Sequence, residues 1–228
     1  MNKAADMLKR VVIVDDHPVF RTGLKALIAN EGAMKVVGEA AGVSEALQVI
    51  KATAPDIVVI DLYLSEGSGI QLIKAIRAHN SKTKLLVASM HQDMVYAERV
   101  LRLGANGYIN KEQAADKIIE AIHTVFAGKV YLSQQVSDRI VQRQLSCTTD
   151  YHVQPVELLS NRELEVFYRI GRGLSTKKIA QQLHVSTKTV DSHREHIKRK
   201  LGIENGNALI TSAVAWVLNE GNDDLKPN

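Results

Sequence analysis

Short runs of β-branched residues alternate with longer segments of helical spacing between residues 11 and 129. In the longer segments, apolar residues recur about every 3.6 positions, which is the spacing of one helix face. This alternation is typical of βαβ units and of a parallel sheet. The predicted strands are Val11–Val14, Val36–Glu39, Ile57–Ile60, Leu85–Ala88 and Gly107–Ile109. The pattern therefore predicts an α/β fold with a five-stranded, doubly wound parallel sheet.

Local signals mark the ends of several predicted helices. Pro18 suits a first helical turn, and Ser44 suits an N-cap because its hydroxyl can accept hydrogen bonds from free backbone amides. Gly32 and Gly128 stand where helices should stop, since glycine readily adopts the left-handed conformation of a helix end.

The alternating pattern ends near Tyr131. A short helix is predicted near residues 133–144, and a polar stretch then leads to Pro155, as in a linker. After Pro155, apolar residues recur only at helical spacing, and Ser160 and Glu163 form a capping box at the start of the first helix. The predicted parts are a domain over 1–129, a linker over 130–157, a second, all-α domain of four helices over 158–220, and a flexible tail over 221–228.

Composition agrees with two globular domains. The chain has 228 residues, of which 45% are hydrophobic and 24% are charged, an ordinary balance for a soluble protein. The net charge of +4 is unevenly spread, because residues 158–218 carry 10 basic and 5 acidic groups whereas residues 1–129 carry 16 and 14. A basic block of this kind indicates a partner that is a polyanion.

Two classes of protein are not expected. The longest uncharged apolar run, Ala208–Leu218, is well short of the roughly 18–20 residues that cross a bilayer, and no apolar stretch follows Lys9-Arg10. We therefore expect no membrane span and no signal peptide. The single cysteine, Cys147, cannot form an internal disulfide, which fits a cytoplasmic protein and makes redox chemistry unexpected.

Polar residues follow four of the five predicted strands. Asp15 and Asp16 follow the first strand, Asp61 the third and Ser89 the fourth, while the fifth leads through Tyr108 to Lys111. Ligands of open α/β sheets bind at these carboxyl ends, near the point where the strand order reverses. Three converging carboxylates suit Mg²⁺, and a hydroxyl and an ammonium on the opposite rim suit a phosphoryl group. Each residue alone has an ordinary alternative, an N-cap for an aspartate or a solvated charge for a lysine.

The segments VVIVDDHP, DIVVIDL, LLVASMH and GANGYINK resemble the receiver domain of bacterial two-component response regulators over residues 10–128. This resemblance implies a flavodoxin-like fold in which Asp61 accepts a phosphoryl group from a histidine kinase. Asp15, Asp16 and the backbone carbonyl of Tyr63 would hold Mg²⁺ together with Asp61. The resemblance also implies that Ser89 and Lys111 contact phosphoryl oxygens and that Tyr108 is an aromatic switch, although a packed strand aromatic is the alternative for Tyr108.

One segment departs from the receiver pattern. The family often has proline four residues after the phosphorylated aspartate, where this chain has Ser65 followed by Glu66. The departure predicts a more mobile loop and additional negative charge near the pocket.

The basic block contains two predicted helices joined at His184-Val185, as in a helix-turn-helix. Val190, Ile197 and Leu201 form an inward stripe on the second helix. The outward residues are Lys188, Asp191, Ser192, Glu195 and Arg199. From charge alone, a solvated cationic face on a small bundle is an equal alternative.

The segments SNRELEV, GLSTKKIA and VSTKTVDSHREHIKRKLGI resemble the LuxR-type helix-turn-helix domain over the whole block. The resemblance implies that Asp191, Ser192 and Glu195 read base edges of double-stranded DNA. It implies phosphate contacts for Lys188, Thr189, Lys198 and Arg199. A receiver joined to this domain is similar to response regulators of the NarL/FixJ type.

The resulting expectation is a transcription regulator, not an enzyme, that dimerises and binds DNA when it is phosphorylated. RNA polymerase is a further candidate partner. An apolar patch for pairing two copies is expected on the last helix, at Leu209, Ile210, Ala213, Val214 and Val217. Two alternatives are a phosphohydrolase with Asp61 or Asp15 as nucleophile, and a regulator that binds DNA constitutively.

Overall fold

The computed structural model describes residues 8–79, 82–89, 94–145 and 155–219. The chain divides into two compact units between Ile140 and Val141. The predicted polar stretch with Cys147 and the tail over 221–228 lie outside the described residues. No helix within the described ranges is long and apolar enough to cross a membrane.

The first unit alternates strands and helices. Its strands are β1 (Lys9–Val14), β2 (Met34–Ala40), β3 (Ile57–Ile60), β4 (Lys84–Ser89) and β5 (Gly107–Asn110). Its helices are α1 (Pro18–Glu31), α2 (Val43–Thr53), α3 (Gly69–His79), α4 (Met94–Arg102), α5 (Lys111–Phe126) and α6 (Gln134–Leu145), the last of which continues past Ile140. All five predicted strands are confirmed, each within two residues at either end.

The strands form one parallel sheet in the order β2-β1-β3-β4-β5. Side chains alternate between the two faces of a strand, so each strand contributes to two cores. On one face, Ile13, Val59 and Leu86 pack with Ile28 of α1 and Ile122 of α5. The order reverses between β1 and β3, which places the carboxyl ends of these two strands at the crevice where ligands of such sheets bind.

Most of the predicted helix ends are confirmed, and one is wrong. Pro18 begins α1 and Gly32 ends it in the left-handed region, with φ of 70°. The predicted N-cap at Ser44 is incorrect, because α2 begins at Val43 after Gly42 in an extended conformation. The hydroxyl of Ser44 instead donates to the Glu66 carboxylate.

The second unit is helical within its described residues. It contains a 3-10 turn (Pro155–Leu158), α7 (Asn161–Gly171), α8 (Thr176–Gln182), α9 (Thr187–Leu201) and α10 (Gly206–Asn219). The predicted capping box is confirmed, with the Ser160 hydroxyl accepting from the amide of Glu163 and the Glu163 carboxylate accepting from the amide of Ser160. Leu164, Phe167, Ile197 and Leu209 are among the buried residues that join the helices.

A glycine allows α7 and α10 to approach closely. A Cβ atom at Gly171 would lie 2.4 Å from the Ala213 carbonyl oxygen and 2.6 Å from Cγ2 of Val217. We expect Gly171→Ala to lower the free energy of unfolding of the second unit by about 1–3 kcal/mol, because backbone must move to admit the methyl group. Fluorescence of Trp216, which packs against Phe167 with ring centroids 5.4 Å apart, reports this unfolding.

The matched control for Gly171→Ala is Gly206→Ala. The nearest atom to a Cβ there is Nη2 of Arg194 at 3.9 Å, so the control should unfold like the parent. Equal stability of the two variants would contradict the close packing of α7 on α10.

Candidate functional site

Three carboxylates converge at the carboxyl ends of β1 and β3. Asp15 and Asp61 are buried, with 1% and 3% of their surface exposed, and Asp16 is half-buried. The amide of Asp61 donates to the Val14 carbonyl, which aligns the end of β3 with the end of β1. This placement follows the sequence prediction, since parallel strands bring their carboxyl ends to one edge of the sheet.

Lys111 joins the two buried carboxylates. Its Nζ lies 2.6 Å from Oδ2 of Asp15 and 2.6 Å from Oδ2 of Asp61. The ammonium also lies 4.7 Å from the centroid of the Phe20 ring. Two carboxylates at this depth require such a partner, because an unpaired buried charge is strongly unfavourable.

The Lys111 ammonium does not fully neutralise the charge of the three carboxylates. Burial raises the pKa of Asp61 to about 6, although the charge of Lys111 acts in the opposite direction and that of Asp15 adds to the increase. Burial also raises the pKa of Asp16. Both shifts indicate that further positive charge would stabilise the ionised carboxylates.

His17 belongs to this cluster and was not singled out from the sequence. Its Nδ1 lies 2.8 Å from Oδ1 of Asp16 and 3.2 Å from Oδ1 of Asp15. Single donor atoms of His17 and of the three aspartates all lie within 4.8 Å of one another. The only sequence signal was its position directly after the aspartate pair, in VVIVDDHP.

The backbone of Asp61 leaves no room for a side chain at Gly69, the first residue of α3. A Cβ at Gly69 would lie 2.2 Å from the carbonyl oxygen of Asp61, so only glycine permits this approach. The amide of Tyr63 donates to Oδ1 of Asp61 at 3.3 Å. The close approach of Gly69 thus restrains the Asp61 backbone, and the Tyr63 amide orients the Asp61 carboxylate.

Ser89 and Tyr108 lie on the neighbouring strands. Ser89 is fully buried at the end of β4, opposite Asn110 in the register, and Tyr108 is 2% exposed opposite Val87. Lys111 begins α5 immediately after β5. Asp15, Asp61, Ser89 and Lys111 thus lie at or directly after the carboxyl ends of adjacent strands, Tyr108 lies near the start of β5, and Lys111 contacts both Asp15 and Asp61.

The loop with Ser65 and Glu66, where the chain departs from the receiver pattern, contacts α2. The Glu66 carboxylate accepts from Ser44, and the Glu66 carbonyl accepts from the amide of Val43 at 3.2 Å. A Cβ at Gly42 would lie 2.5 Å from Oε2 of Glu66, so the contact also depends on a glycine. These contacts restrain the loop that the sequence predicts to be more mobile.

In the second unit, α8 and α9 form the helix-turn-helix. Five of the predicted DNA-contacting residues on α9 are exposed, at spacings of three and four that place them on one side of the helix: Lys188, Asp191, Ser192, Glu195 and Arg199. Val190 and Ile197 are fully buried on the opposite side. Residues that the sequence did not single out, Lys177 and Lys178, are exposed on α8.

Two of the predicted contacts are partly engaged within the protein. Thr189 is half-buried, and its amide donates to the Ser186 hydroxyl at 3.0 Å as part of the N-cap of α9. Nζ of Lys198 lies 2.9 Å from Oε1 of Glu195 and the Lys198 side chain is only 18% exposed. A change at Glu195, the predicted base contact, would therefore also affect Lys198, the predicted phosphate contact.

A buried carboxylate anchors α9 to α7. Lys200 donates to the Glu163 carboxylate at 2.7 Å, alongside the bond from the Ser160 amide. Burial acts to raise the pKa of Glu163, but these hydrogen bonds outweigh it and lower the pKa. The carboxyl end of α9 is thus held to α7 by an ion pair.

Family models match both units. Residues 11–123 match the response regulator receiver domain, and residues 157–213 match the luxR family of bacterial regulatory proteins. The oxygen regulatory protein NreC of Staphylococcus aureus is 36% identical over 209 residues, which cover 90% of this chain and 96% of that protein.

Solved structures of the same organisation are similar. RcsB of Salmonella typhimurium matches with a TM-score of 0.71 and 26% identity over 91% of this chain and 97% of that one. RcsB bound to the promoter P1flhDC in the presence of the phosphomimetic BeF3⁻ matches with a TM-score of 0.68 and 26% identity over 91% and 99%.

A receiver unit with a buried carboxylate pocket, followed by a LuxR-type helix-turn-helix unit, defines a two-component transcription regulator. The chain belongs to the response regulators of the NarL/FixJ type.

Proposed function

We propose that Asp61 accepts a phosphoryl group from a histidine kinase in the cytoplasm, and that this modification controls dimerisation and sequence-specific binding to double-stranded DNA. The observation that carries the proposal is the ammonium of Lys111 lying 2.6 Å from both Asp15 and Asp61. This ion pair connects Asp61, the proposed phosphoacceptor, to the first residue of α5. A chemical change at Asp61 would therefore alter a contact that positions the start of α5. A catalytic role beyond uptake and loss of this phosphoryl group is not proposed.

The pocket fits Mg²⁺. Three carboxylates exceed one ammonium by two negative charges, and hard divalent cations prefer oxygen ligands. The ligands would be Asp15, Asp16, Asp61 and the backbone carbonyl of Tyr63. When bound, the ion neutralises negative charge that accumulates between the attacking carboxylate and the phosphoryl oxygens.

The phosphoryl transfer itself uses groups of this chain. A carboxylate oxygen of Asp61 forms the bond to phosphorus as the bond from phosphorus to the kinase imidazole nitrogen breaks, and that nitrogen keeps the electron pair. Lys111 would exchange its contact with Oδ2 of Asp61 for a phosphoryl oxygen. Ser89 would donate to another phosphoryl oxygen, and Tyr108 would turn inward as Ser89 moves.

In the second unit, the exposed side of α9 would enter the major groove. Asp191, Ser192 and Glu195 would read base edges, while Lys188, Thr189, Lys198 and Arg199 would contact phosphates. A solved structure of RcsB contains two dimers bound to two parallel DNAs, which supports DNA as the partner and a homodimer as the bound form. RNA polymerase is proposed as a further partner.

The proposed dimer patch on α10 is smaller than its sequence suggests. Leu209 and Ala213 are fully buried within the unit, and Val217 packs beside Gly171. Ile210 remains 43% exposed, and Val214 is half-buried. Pairing of two copies would therefore use Ile210 and Val214 with the exposed residues beside them.

Treatment with acetyl phosphate and Mg²⁺ tests the proposed function. A single slowly hydrolysing adduct and an increase of DNA affinity within the range of about 5–150-fold are expected, the usual size of such coupling. Ser89→Ala should reduce this increase more than it reduces adduct formation. Rapid turnover of the phosphodonor would indicate a phosphohydrolase, and unchanged DNA affinity would indicate a constitutive DNA-binding protein.

Arg199→Ala and Glu195→Ala should affect DNA binding differently. Loss of Arg199 removes a phosphate contact, so binding weakens on all sequences and the salt dependence falls by about one unit of slope. Loss of Glu195 should relax sequence preference by about 1–3 kcal/mol at particular base pairs. It also frees Lys198, so affinity for random duplexes should not decrease.

Salt titrations on specific and random duplexes measure both effects in the phosphorylated chain. Arg172→Ala is the matched control, because Arg172 is an exposed arginine at the C-cap of α7 and does not belong to α9. Identical behaviour of the Arg199 and Glu195 variants on both duplexes would contradict the placement of α9 in the groove.

A further inference from the structure

The segment that follows α5 pairs with the outer edge of the sheet. β5 is the last strand in the order, with β4 on its inner side. On its outer side, the amide of Tyr108 donates to the Tyr131 carbonyl at 2.8 Å and the amide of Tyr131 donates to the Asn106 carbonyl at 3.2 Å. Gly107 and Tyr131 thereby form a parallel β-bridge. The chain leaving the receiver core thus uses backbone groups that an edge strand otherwise leaves open.

The pairing is tightly packed at Gly107, so that a side chain there would press on Tyr131. A Cβ there would lie 3.0 Å from the Tyr131 carbonyl oxygen and 3.1 Å from Cβ of Tyr131. The Tyr131 side chain packs against the core cluster that contains Ile109 and Ile118. Residue 131 is therefore fixed to β5 by backbone and by side chain.

The pairing continues directly into α6. Only Leu132 and Ser133 separate Tyr131 from the first residue of that helix, and two residues span at most about 7 Å. The Ser133 hydroxyl accepts from the amide of Val136 at 3.3 Å, and Val136 is 4% exposed. The beginning of α6 therefore has little freedom to move independently of Tyr131.

The residue that donates to Tyr131 is the proposed switch, Tyr108. β4 and β5 are in register, with Val87 opposite Tyr108 and Ser89 opposite Asn110. A displacement of Ser89 toward a phosphoryl group therefore occurs one strand away from the amide that holds Tyr131. A switch can act at a distance only through an element whose position differs between the two states.

We propose that the backbone pairing of Tyr131 with β5 transmits the phosphorylation state of the pocket from Tyr108 to α6, the helix that leads along the chain to the DNA-binding unit. The proposal rests on the proposed function. Gly107 and Tyr131 act in it as positioning residues, and they do not touch the phosphoryl group. The contacts from Tyr108 to the beginning of α6 lie within the first unit.

The test compares hydrogen exchange and DNA affinity in the full chain with and without acetyl phosphate and Mg²⁺. In the parent, phosphorylation should change the exchange of the Tyr108 and Tyr131 amides and of the α6 amides. In Gly107→Ala, adduct formation should stay within about twofold of the parent, whereas the gain in DNA affinity should fall below about a third of the parent's gain. Gly23→Ala is the matched control, because nothing lies within 4 Å of a Cβ at that position.

A Cβ at Gly107 would also lie 3.0 Å from Cδ1 of Leu86 on β4, which could reduce adduct formation in Gly107→Ala. A second variant keeps the test decisive in that case. Insertion of two glycines after Leu132 leaves the Tyr131 pairing intact but releases α6, and should reduce the DNA response equally. A parent-like gain in the insertion variant, or unchanged α6 exchange in the phosphorylated parent, would overturn this inference alone. Absence of any adduct in the parent would overturn the proposed function as well.

Discussion

Asp61→Asn is expected to form no phosphoryl adduct. A carboxamide oxygen is a much weaker nucleophile than a carboxylate, and the structure places Asp61 at the end of β3 in contact with Lys111. The fold should persist, because asparagine has nearly the same shape and Lys111 keeps Asp15 as a counterion 2.6 Å away. Loss of one of two neighbouring buried carboxylates also removes repulsion between them.

Intact-protein mass spectrometry after incubation with acetyl phosphate and Mg²⁺ measures this effect. Asp138→Asn is the matched control, because Asp138 lies on α6 and its carboxylate accepts from Gln134 far along the chain from the pocket residues. The control should gain one phosphoryl group as the parent does. An undiminished adduct on Asp61→Asn would show that another residue is the phosphoacceptor.

Lys111→Met is expected to lower the free energy of unfolding of the first unit by about 3 kcal/mol in buffer without divalent cations. Methionine preserves the packing of the lysine stem, but it leaves Asp15 and Asp61 buried without the ammonium. Removal of one partner from a buried ion pair typically costs about 3–5 kcal/mol. Added Mg²⁺ should recover most of the loss, since a divalent cation would replace the missing positive charge.

The penalty should also depend on pH. In the parent, the pKa of Asp61 is already raised to about 6, chiefly by burial, and loss of the ammonium should raise it further. A raised carboxyl pKa stabilises the fold at low pH, and this contribution is lost as the pH rises through the folded-state value. The difference between variant and parent should therefore be largest above neutral pH and should shrink as the pH falls toward about 6, where Asp61 becomes protonated in both proteins.

Urea denaturation at several pH values, with and without Mg²⁺, measures both effects. Lys117→Met is the control on the same helix, because Lys117 is exposed and should have little effect on stability. A penalty that neither Mg²⁺ nor low pH reduces would mean that Lys111 stabilises the fold by packing and not by its charge.

Much of the pocket could be predicted because its residues follow the strands directly. Hydrophobic patterning defines where β1 and β3 end, and the rules of parallel sheets place those ends at one edge. Asp15 and Asp61 could therefore be brought together before any distance was known. The same reasoning identified Val190 and Ile197 as the inward side of α9, which are fully buried.

Errors and omissions arose where the outcome depended on a competing partner elsewhere in the chain. Ser44 has the chemistry of an N-cap, but α2 starts at Val43, whose amide donates to the Glu66 carbonyl, and the Ser44 hydroxyl donates to the same residue. Lys198 has the charge of a phosphate contact, and this role stays a prediction, since its pairing with Glu195 at 2.9 Å in the free protein does not test it. Side-chain chemistry indicates what a residue can do, and the neighbours decide which interaction forms.

The sequence by itself determined the order of strands and helices, the capping box of α7 and the set of strand-end residues, because burial periodicity and capping act over a few neighbouring positions. Only the tertiary structure decided that His17 joins the carboxylates, that Lys111 contacts two of them at once and that Tyr131 pairs with β5. These contacts join residues from separate elements or depend on how a side chain is oriented. The distances between these atoms depend on how the elements pack in three dimensions, and a local sequence pattern does not predict that packing.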